Sequence, residues 1–353
     1  MGTNNNDAAC AILQYFRVER KNYAIEVINN GFINDTYLVL ASNEPQYILQ
    51  RINHGVFKDI DGLMSNLFLA LQELDSEDYR RIQLIKTSTN SPYFKDENGY
   101  WRLMTYIAKS TTYNTTTNPQ IAFEAGRIIG RFHQLMEKTN SDDYVDTIPD
   151  FHNLKLREKQ FDRAKQNSES NKLESAKKAI LFAEETLPKL NSLNQTKLPV
   201  RICHNDTKLN NILFSEETGK ALCLIDLDTL MKGYFFYDFG DAIRTIVNTA
   251  PEDEKILERI SFDRNLFDAV IDGIASNGPL LTQEEISTLS LGAVFMPFIH
   301  GLRALTDYLN NNIYYKVSYE NQNLDRCLSL FDFTQKAYNQ VEYMENKVTQ
   351  KLR

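Results

Sequence analysis

His204, Asp206 and Asn211 stand in the pattern H-x-D-x-x-x-x-N, and a further carboxylate, Asp226, closes the apolar run ALCLID downstream. The surrounding stretch, RICHNDTKLNNILFSEETGKALCLIDLDTL from Arg201, is apolar, then polar, then apolar again, with SEETGK as a turn. If Phe214 lies opposite Ala221, the return strand brings Asp226 back beside Leu209–Asn211, and Asp206, Asn211 and Asp226 share one end of a hairpin. Three oxygen-bearing side chains there suit a hard cation such as Mg²⁺, which takes few protein carboxylates and keeps phosphate and water ligands. Phosphoryl transfer needs this set. One carboxylate orients the attacking hydroxyl and accepts its proton; an Asn and an Asp hold the metal that neutralises the β- and γ-phosphates. Asp206 is then the base, in touch with the acceptor, and Asn211 and Asp226 are metal ligands. Asp228 is expected to add a metal contact, with a hydrogen bond to the loop as its alternative. His204 is expected to brace the loop, as are Asp238 and Asp241 in FFYDFGDAIR. The plain alternative for the whole loop is a polar turn held by Asx-type hydrogen bonds.

Such a loop needs elements to hold it. YAIEVINN, DTYLVLAS and QYILQRI read as an antiparallel meander, IDGLMSNLFLALQEL as a helix, and SPYFKDENGYWRLMTYI as a hairpin around Asp96–Gly99. Together they predict a five-stranded sheet with one helix. Beyond Ser110 the pattern turns helical. PQIAFEAGRIIGRFHQLMEK is amphipathic with Pro119 near its start, and the charged run from Asn153 to Leu190 reads as one or two surface helices. The expected class is α+β and bilobal, with a small sheet-rich lobe over 1–108 and a larger, mainly helical lobe over 109–353.

With 353 residues the chain can build more than one core. Its net charge of -8 disfavours a nucleic-acid backbone as partner. Cys10, Cys203, Cys223 and Cys327 are scattered with no CxxC pair, which argues against zinc or a disulfide framework and for a reducing compartment. The N-terminal sequence does not look like a signal peptide, and no apolar stretch approaches the ~20 residues that span a bilayer. The expected location is cytoplasmic.

The protein-kinase form of the motif has H-R-D and D-F-G. Here Asn205 replaces the Arg and IDLD stands where D-F-G would be, which points to kinases of small molecules. The DFG in YDFGD comes after the ID strand and is a coincidence. The stretch resembles the aminoglycoside phosphotransferase superfamily, kinase-like enzymes acting on small hydroxylated substrates, over nearly the whole chain. GFINDTYLV, YILQRIN, VFKDIDGLM, IPDFHNL and GLRALTDYLNNNIYYK…NLDRC are most similar to the N-acetylhexosamine 1-kinase branch. The motif is specific to the superfamily; the branch rests on these longer, softer segments.

The resemblance implies a protein-kinase-like fold, ATP as co-substrate, Mg²⁺, and an amino-sugar acceptor phosphorylated at its anomeric hydroxyl. It implies that Arg303 and Tyr314 line the sugar pocket; by spacing alone, Arg303 and Asp307 are an i,i+4 ion pair. In kinases a turn between the first two strands covers the phosphates, which makes Gly31, Asn34 and Asp35 candidates. The usual strand lysine is absent. Gln50 has its position but no charge, Arg51 has the charge but points to the other face, and the choice stays open. A helical partner carboxylate is equally unsettled, Glu73 lying late on its helix. The backbone of the linker, at Thr105 and Ile107, is expected to read the adenine edge. Other acceptors of the same class are an aminoglycoside, choline, homoserine or methylthioribose; a catalytically silent binding module is the alternative of a different class. No nucleic acid or membrane partner is expected, and the chain is expected to be a monomer or homodimer.

Overall fold

Runs of alternating β-branched and aromatic residues fold as an antiparallel meander of β1 (Tyr23–Ile28), β2 (Asp35–Ala41) and β3 (Glu44–Ile52). The computed structural model describes residues 9–28, 33–191, 193 and 197–353. Ser42 and Asn43, both with positive φ, form the two-residue turn whose twist matches the strands it joins. Helix α1 (Ile60–Glu73) follows, started by Asp59, whose carboxylate accepts the Gly62 N–H at 2.8 Å. β4 (Leu84–Ile85), β5 (Phe94–Asp96) and β6 (Gly99–Thr105) complete the sheet in the order β1-β2-β3-β6-β4, with β5 also on β6. Among the described residues the sheet has six strands, one more than expected. The extra strand, β4, is two residues long, too short to show an alternation of its own.

The pleat gives this sheet two distinct faces. Tyr37, Val39, Leu49, Trp101 and Leu103 point to one and pack under Ala9, Ile12, Leu13 and Phe16. Gln50 and Arg102, paired across β3 and β6, fall on the other face with Ile52, which joins the main core beside Leu63 and Leu67 of α1.

From Ser110 the chain enters other sheets. β7 (Ser110–Thr111) pairs with β9 of a three-stranded sheet formed further on. Helix α2 (Pro119–Leu135) has Pro119 in its first turn and Asn118 as its cap. α3 (Leu154–Asn167), α4 (Ser170–Ser175) and α5 (Lys177–Leu190) occupy the charged run, three helices where one or two were expected. β8 (Arg201–Cys203), β9 (Ile212–Ser215), β10 (Ala221–Leu224) and β11 (Met231–Gly233) bracket the polar loop, with sheet orders β10-β9-β7 and β11-β8. Phe214 lies opposite Ala221, the register expected. The remainder is helical: α6 (Phe235–Ile246), α7 (Arg264–Ala275), α8 (Gln283–Ile286), α9 (Leu289–Leu309), α10 (Gln322–Tyr338) and α11 (Val341–Leu352).

Helix α9 corrects one expectation. It is 21 residues long, by length and composition apolar enough to cross a membrane, and it lies mostly buried inside the protein. Pro297, His300, Arg303 and Asp307 interrupt the apolar run in sequence, so it does not read as one. Its middle is core. There it meets α6 with almost nothing between the backbones: a Cβ on Gly240 would lie 2.2 Å from the Gly292 carbonyl oxygen and 2.6 Å from Met296 Cγ. Gly240→Ala is therefore expected to lower stability by about 1–3 kcal/mol through overpacking. An unchanged denaturation midpoint would show that the helices can part freely.

Candidate active site

The polar loop is held from beneath by one buried carboxylate. Asp238, on the first turn of α6, accepts the backbone N–H of His204 at 2.9 Å and of Asn205 at 2.7 Å. His133 Nε2 lies 2.9 Å from the same carboxylate, and the Thr207 hydroxyl donates to the Asp238 carbonyl. Cys203, His133 and Asp238 lie close enough together to suggest a metal site. Burial, then the neighbouring Asp238, pushes the Cys203 thiol well up, and Asp238 is committed to the loop; the cluster is a brace. His204 pairs through Nε2 with the Ile225 carbonyl at 2.8 Å, and its Nδ1 accepts the Asp206 N–H at 3.2 Å. The position held by Arg in protein kinases is Asn205, in the left-handed region that Asn tolerates, with its amide donating to Thr229 O at 3.0 Å. Asp241, expected as a second brace, makes no hydrogen bond to this loop among the described residues. It lies one helical turn further along α6 and turns to Arg244 instead.

Above this support the side chains expected to react converge. The Ile225 N–H donates to the Asn211 carbonyl at 2.9 Å, which fixes the end of the hairpin. Asn211 Nδ2 donates to the Asp206 carbonyl and to Asp206 Oδ2, at 2.8 and 2.9 Å, and its own Oδ1 is uncommitted among the described residues. Lys208 Nζ is 2.8 Å from Asp206 Oδ2. Burial opposes its charge, but the carboxylates of Asp206 and Asp226 prevail and push the ammonium up to about 12. Asp226 has left-handed backbone geometry and no hydrogen-bond or ion-pair partner among the described residues. Its side chain reaches solvent, yet crowding by protein raises its pKa, and Asp228 and Asp206 add like-charge repulsion. The fields of Lys208 and Arg102 offset this only in part, so the carboxyl stays harder to ionise than an ordinary Asp.

Asp228 is placed differently from expectation. It is 3% exposed, one oxygen is ion-paired with Arg102, and the other accepts Asn34 Nδ2 at 2.6 Å. With both oxygens engaged by Arg102 and Asn34, its side chain makes neither a hydrogen bond to the polar loop nor a free metal contact among the described residues, but ties its turn to the small sheet.

On the nucleotide side the open question about the strand cation has an unexpected answer. Gln50 Oε1 accepts from Arg102 Nε and Nη2 at 2.9 and 2.7 Å, and Gln50 Nε2 donates to the Thr36 hydroxyl. Arg51 pairs with Asp35 at 2.5 Å near the surface, on the face that carries Trp101. Asp35 therefore lies across the sheet from Gln50 and Asp228, away from the expected phosphate site. The cation on the inner face is Arg102, one strand over, a residue missed because only the register of β3 on β6 brings it to Gln50. No carboxylate of α1 pairs with it. Asn66 is that helix's polar link to the site, donating to Leu230 O at 2.8 Å. Asn34 bridges Asp228 and the Asn53 N–H. Gly31 lies outside the described residues. In the linker, the Thr105 N–H is taken by Gln83 O, whereas the Ile107 N–H has no partner among the described residues.

A second polar cluster abuts the loop. His152 Nε2 lies 3.3 Å from the Asn205 carbonyl, and its ring is 6.4 Å from that of His300. His300 Nε2 is 3.5 Å from Asp241 Oδ1, too long and poorly aligned for a hydrogen bond. Burial lowers both imidazoles, His300 to about 4, so both are neutral at pH 7. His152 Nδ1, His300 Nε2 and Asp241 Oδ2 are buried and unpartnered. Beside them Arg303 is half-buried among Phe151, Tyr314 and Tyr315, its guanidinium 5.1, 5.8 and 6.0 Å from the ring centres. It makes no hydrogen bond or ion pair among the described residues. Asp307, its supposed i,i+4 partner, instead accepts the N–H groups of Tyr314 and Tyr315 at 2.8 and 2.9 Å and shapes the aromatic turn. Burial and the nearby Arg303 lower Arg157 to about 10, a mark of surplus positive charge here.

Solved structures with this fold include an aminoglycoside phosphotransferase from Alicyclobacillus acidocaldarius, 14% identical, with a TM-score of 0.62 over 96% of each chain. A choline kinase from Cryptosporidium parvum is 14% identical, with a TM-score of 0.59 over 98% of this chain and 99% of that one. A spectinomycin phosphotransferase solved with ADP and spectinomycin is 12% identical, with a TM-score of 0.60 over 98% of both. The architecture is thus the α+β kinase-like fold. The sequence pattern of the phosphotransferase enzyme family matches residues 24–269, which include both the sheet and the polar loop, and the chain belongs to that family.

Proposed function

We propose that this small-molecule kinase moves the γ-phosphoryl group of ATP to the anomeric hydroxyl of an N-acetylhexosamine, N-acetylglucosamine or N-acetylgalactosamine. Asp206 takes the proton of that hydroxyl as its oxygen bonds to the γ-phosphorus; the bond from phosphorus to the bridging oxygen breaks and ADP leaves. Lys208, kept protonated beside Asp206, faces the charge on the transferring group. Asn211 Oδ1 and Asp226 suit Mg²⁺, being two hard oxygen donors, one on a carboxylate with no ion pair of its own among the described residues. Mg²⁺ bound there supplies neutralisation of the phosphate oxygens. His204 and Asp238 hold the loop; Asn34 steadies the turn over the phosphates, and the free Ile107 N–H offers the adenine a donor. We place the division between a nucleotide lobe and a catalytic lobe at 108/109. A cytoplasmic monomer or homodimer completes the proposal.

The observation that carries the acceptor class is Arg303, unpaired in its aromatic surround beside three orphaned buried polar atoms. A choline-like or polyamine acceptor would meet surplus positive charge here, whereas a neutral sugar offers vicinal hydroxyls to the guanidinium fork and a flat face to the rings. Arg303→Ala is the test. Losing a charged donor costs roughly 1.5–3 kcal/mol, about ten- to a hundredfold in kcat/KM for the sugar. The KM for ATP is expected to stay near wild type, and the melting temperature to fall only modestly, since packing against the rings is lost but no ion pair is. Unchanged sugar kinetics would remove Arg303 from the pocket and the hexosamine assignment with it.

A further inference from the structure

The buried pair of Arg102 and Asp228 joins elements far apart in sequence. Arg102 is 1% exposed, and its Nε and Nη2 both donate to Gln50 on β3. Its remaining nitrogen pairs with Asp228, two residues past Asp226, in the turn whose left-handed entry sets the direction of the Asp226 carboxylate. The other Asp228 oxygen accepts from Asn34 at the start of β2, and the Asp228 carbonyl accepts the Thr147 hydroxyl at 2.8 Å. The small sheet and the turn bearing Asp226 therefore meet through one buried charge pair that neither end can leave without stranding the other.

We propose that Arg102 and Asp228 are positioning residues for the metal-bound nucleotide. The pair seats the Asp226 turn against the small sheet, and so performs from β6, through the turn, the task of the absent strand lysine. This rests on the reading of Asn211 and Asp226 as the metal site. A purely structural pair would contribute to stability alone; a positioning pair makes nucleotide affinity depend on Mg²⁺ in a way that its loss erodes.

Removing one partner strands a buried charge and risks unfolding, so the main variant is the charge-free double replacement Arg102→Met/Asp228→Asn. Replacing both members of a buried pair by apolar residues of similar volume is often neutral or stabilising; here Asn keeps an oxygen for Asn34 Nδ2, and the lost donors of Gln50 lower the melting temperature without stranding a charge. The readouts are the melting temperature and the calorimetric affinity for a non-hydrolysable ATP analogue, with Mg²⁺ and with EDTA. The double variant is expected to fold and to bind the analogue about tenfold or more weakly with Mg²⁺, while its affinity in EDTA equals that of wild type. Arg102→Lys, which keeps the charge but lacks the fork to Gln50, is expected to fold with a lowered melting temperature, because Gln50 Oε1 loses its donors, and to raise the Mg²⁺ concentration for half-maximal affinity severalfold in the folded protein. Wild-type Mg²⁺-dependent affinity in the folded double variant would overturn the proposal alone, as would an unshifted Mg²⁺ requirement in Arg102→Lys. If the unmutated protein gains no affinity from Mg²⁺, the metal-site reading itself fails and takes this proposal with it.

Discussion

Asp206→Asn is expected to cut turnover by about 10²–10⁴-fold while the fold and nucleotide affinity persist, the usual worth of a positioned general base. The exchange keeps the size of the side chain and an oxygen for Asn211 Nδ2 or Lys208 Nζ to donate to, so the contacts at 2.8–2.9 Å have a successor. What disappears is the capacity to accept a proton. The loop itself does not rest on this side chain: its backbone is fastened by Asp238, His204 and Asn205. Steady-state turnover with ATP over a panel of sugars and amino alcohols gives the first number, and calorimetry with the nucleotide gives the second. A loss of less than tenfold means that another group takes the proton.

Asp226→Asn is expected to abolish most of the Mg²⁺-dependent gain in nucleotide affinity and to make the metal-free protein more stable. Asn tolerates the left-handed backbone at this position, so the substitution tests charge rather than conformation. Changes to groups that merely support a metal ligand already cost ~10–100-fold in affinity, and a ligand should exceed that. The stability effect follows from the sign of the pKa shift. Crowding by protein around this solvent-facing carboxyl, with the nearby Asp228 and Asp206, makes it harder to ionise in the folded chain than in the unfolded one. Ionisation at neutral pH therefore opposes folding, and removing the ionisable group relieves the penalty. For the same reason Mg²⁺ binding should weaken, as pH falls, at a higher pH than an ordinary Asp would dictate. A lower melting temperature together with unchanged Mg²⁺ dependence would exclude Asp226 from the metal site.

What could be read in the sequence was what is local along the chain. The hairpin from Ile212 to Leu224 is short enough for its turn and apolar runs to fix the register, and so the neighbourhood of Asp206, Asn211 and Asp226 follows from spacing. The meander and α1 announce themselves by period and by turn residues. Arg102 did not, because nothing near it in sequence distinguishes it from an ordinary strand residue; its meaning lies in partners on β3 and beyond β10. The partners of Asp228 were not legible for the same reason, since the cation paired with it comes from β6, far away in the sequence. The i,i+4 rule suggested Arg303 with Asp307, but the chain doubles back after α9 and offers Asp307 the better-placed amides of Tyr314 and Tyr315. Phe151 and His152 stood in the segment IPDFHNL that carries the resemblance, but no role for either was legible until the fold set them against Asn205 and Arg303.

The glycine contact between α6 and α9 bears on how the protein could come to accept different molecules. Asp238, which holds the reacting loop, is on α6; Arg303, which faces the second polar cluster, is on α9. The two helices touch backbone to backbone at Gly240 and Gly292, with no side chain between them to be exchanged for a longer or shorter one. On the proposed roles of Asp206 and Arg303, the distance between the chemical end and the recognition end is thus a fixed gauge, not an adjustable one. Longer or bulkier acceptors would have to be accommodated at the exposed turn carrying Tyr314, outside that rigid frame, and variation there would leave the timing and geometry of the chemistry untouched.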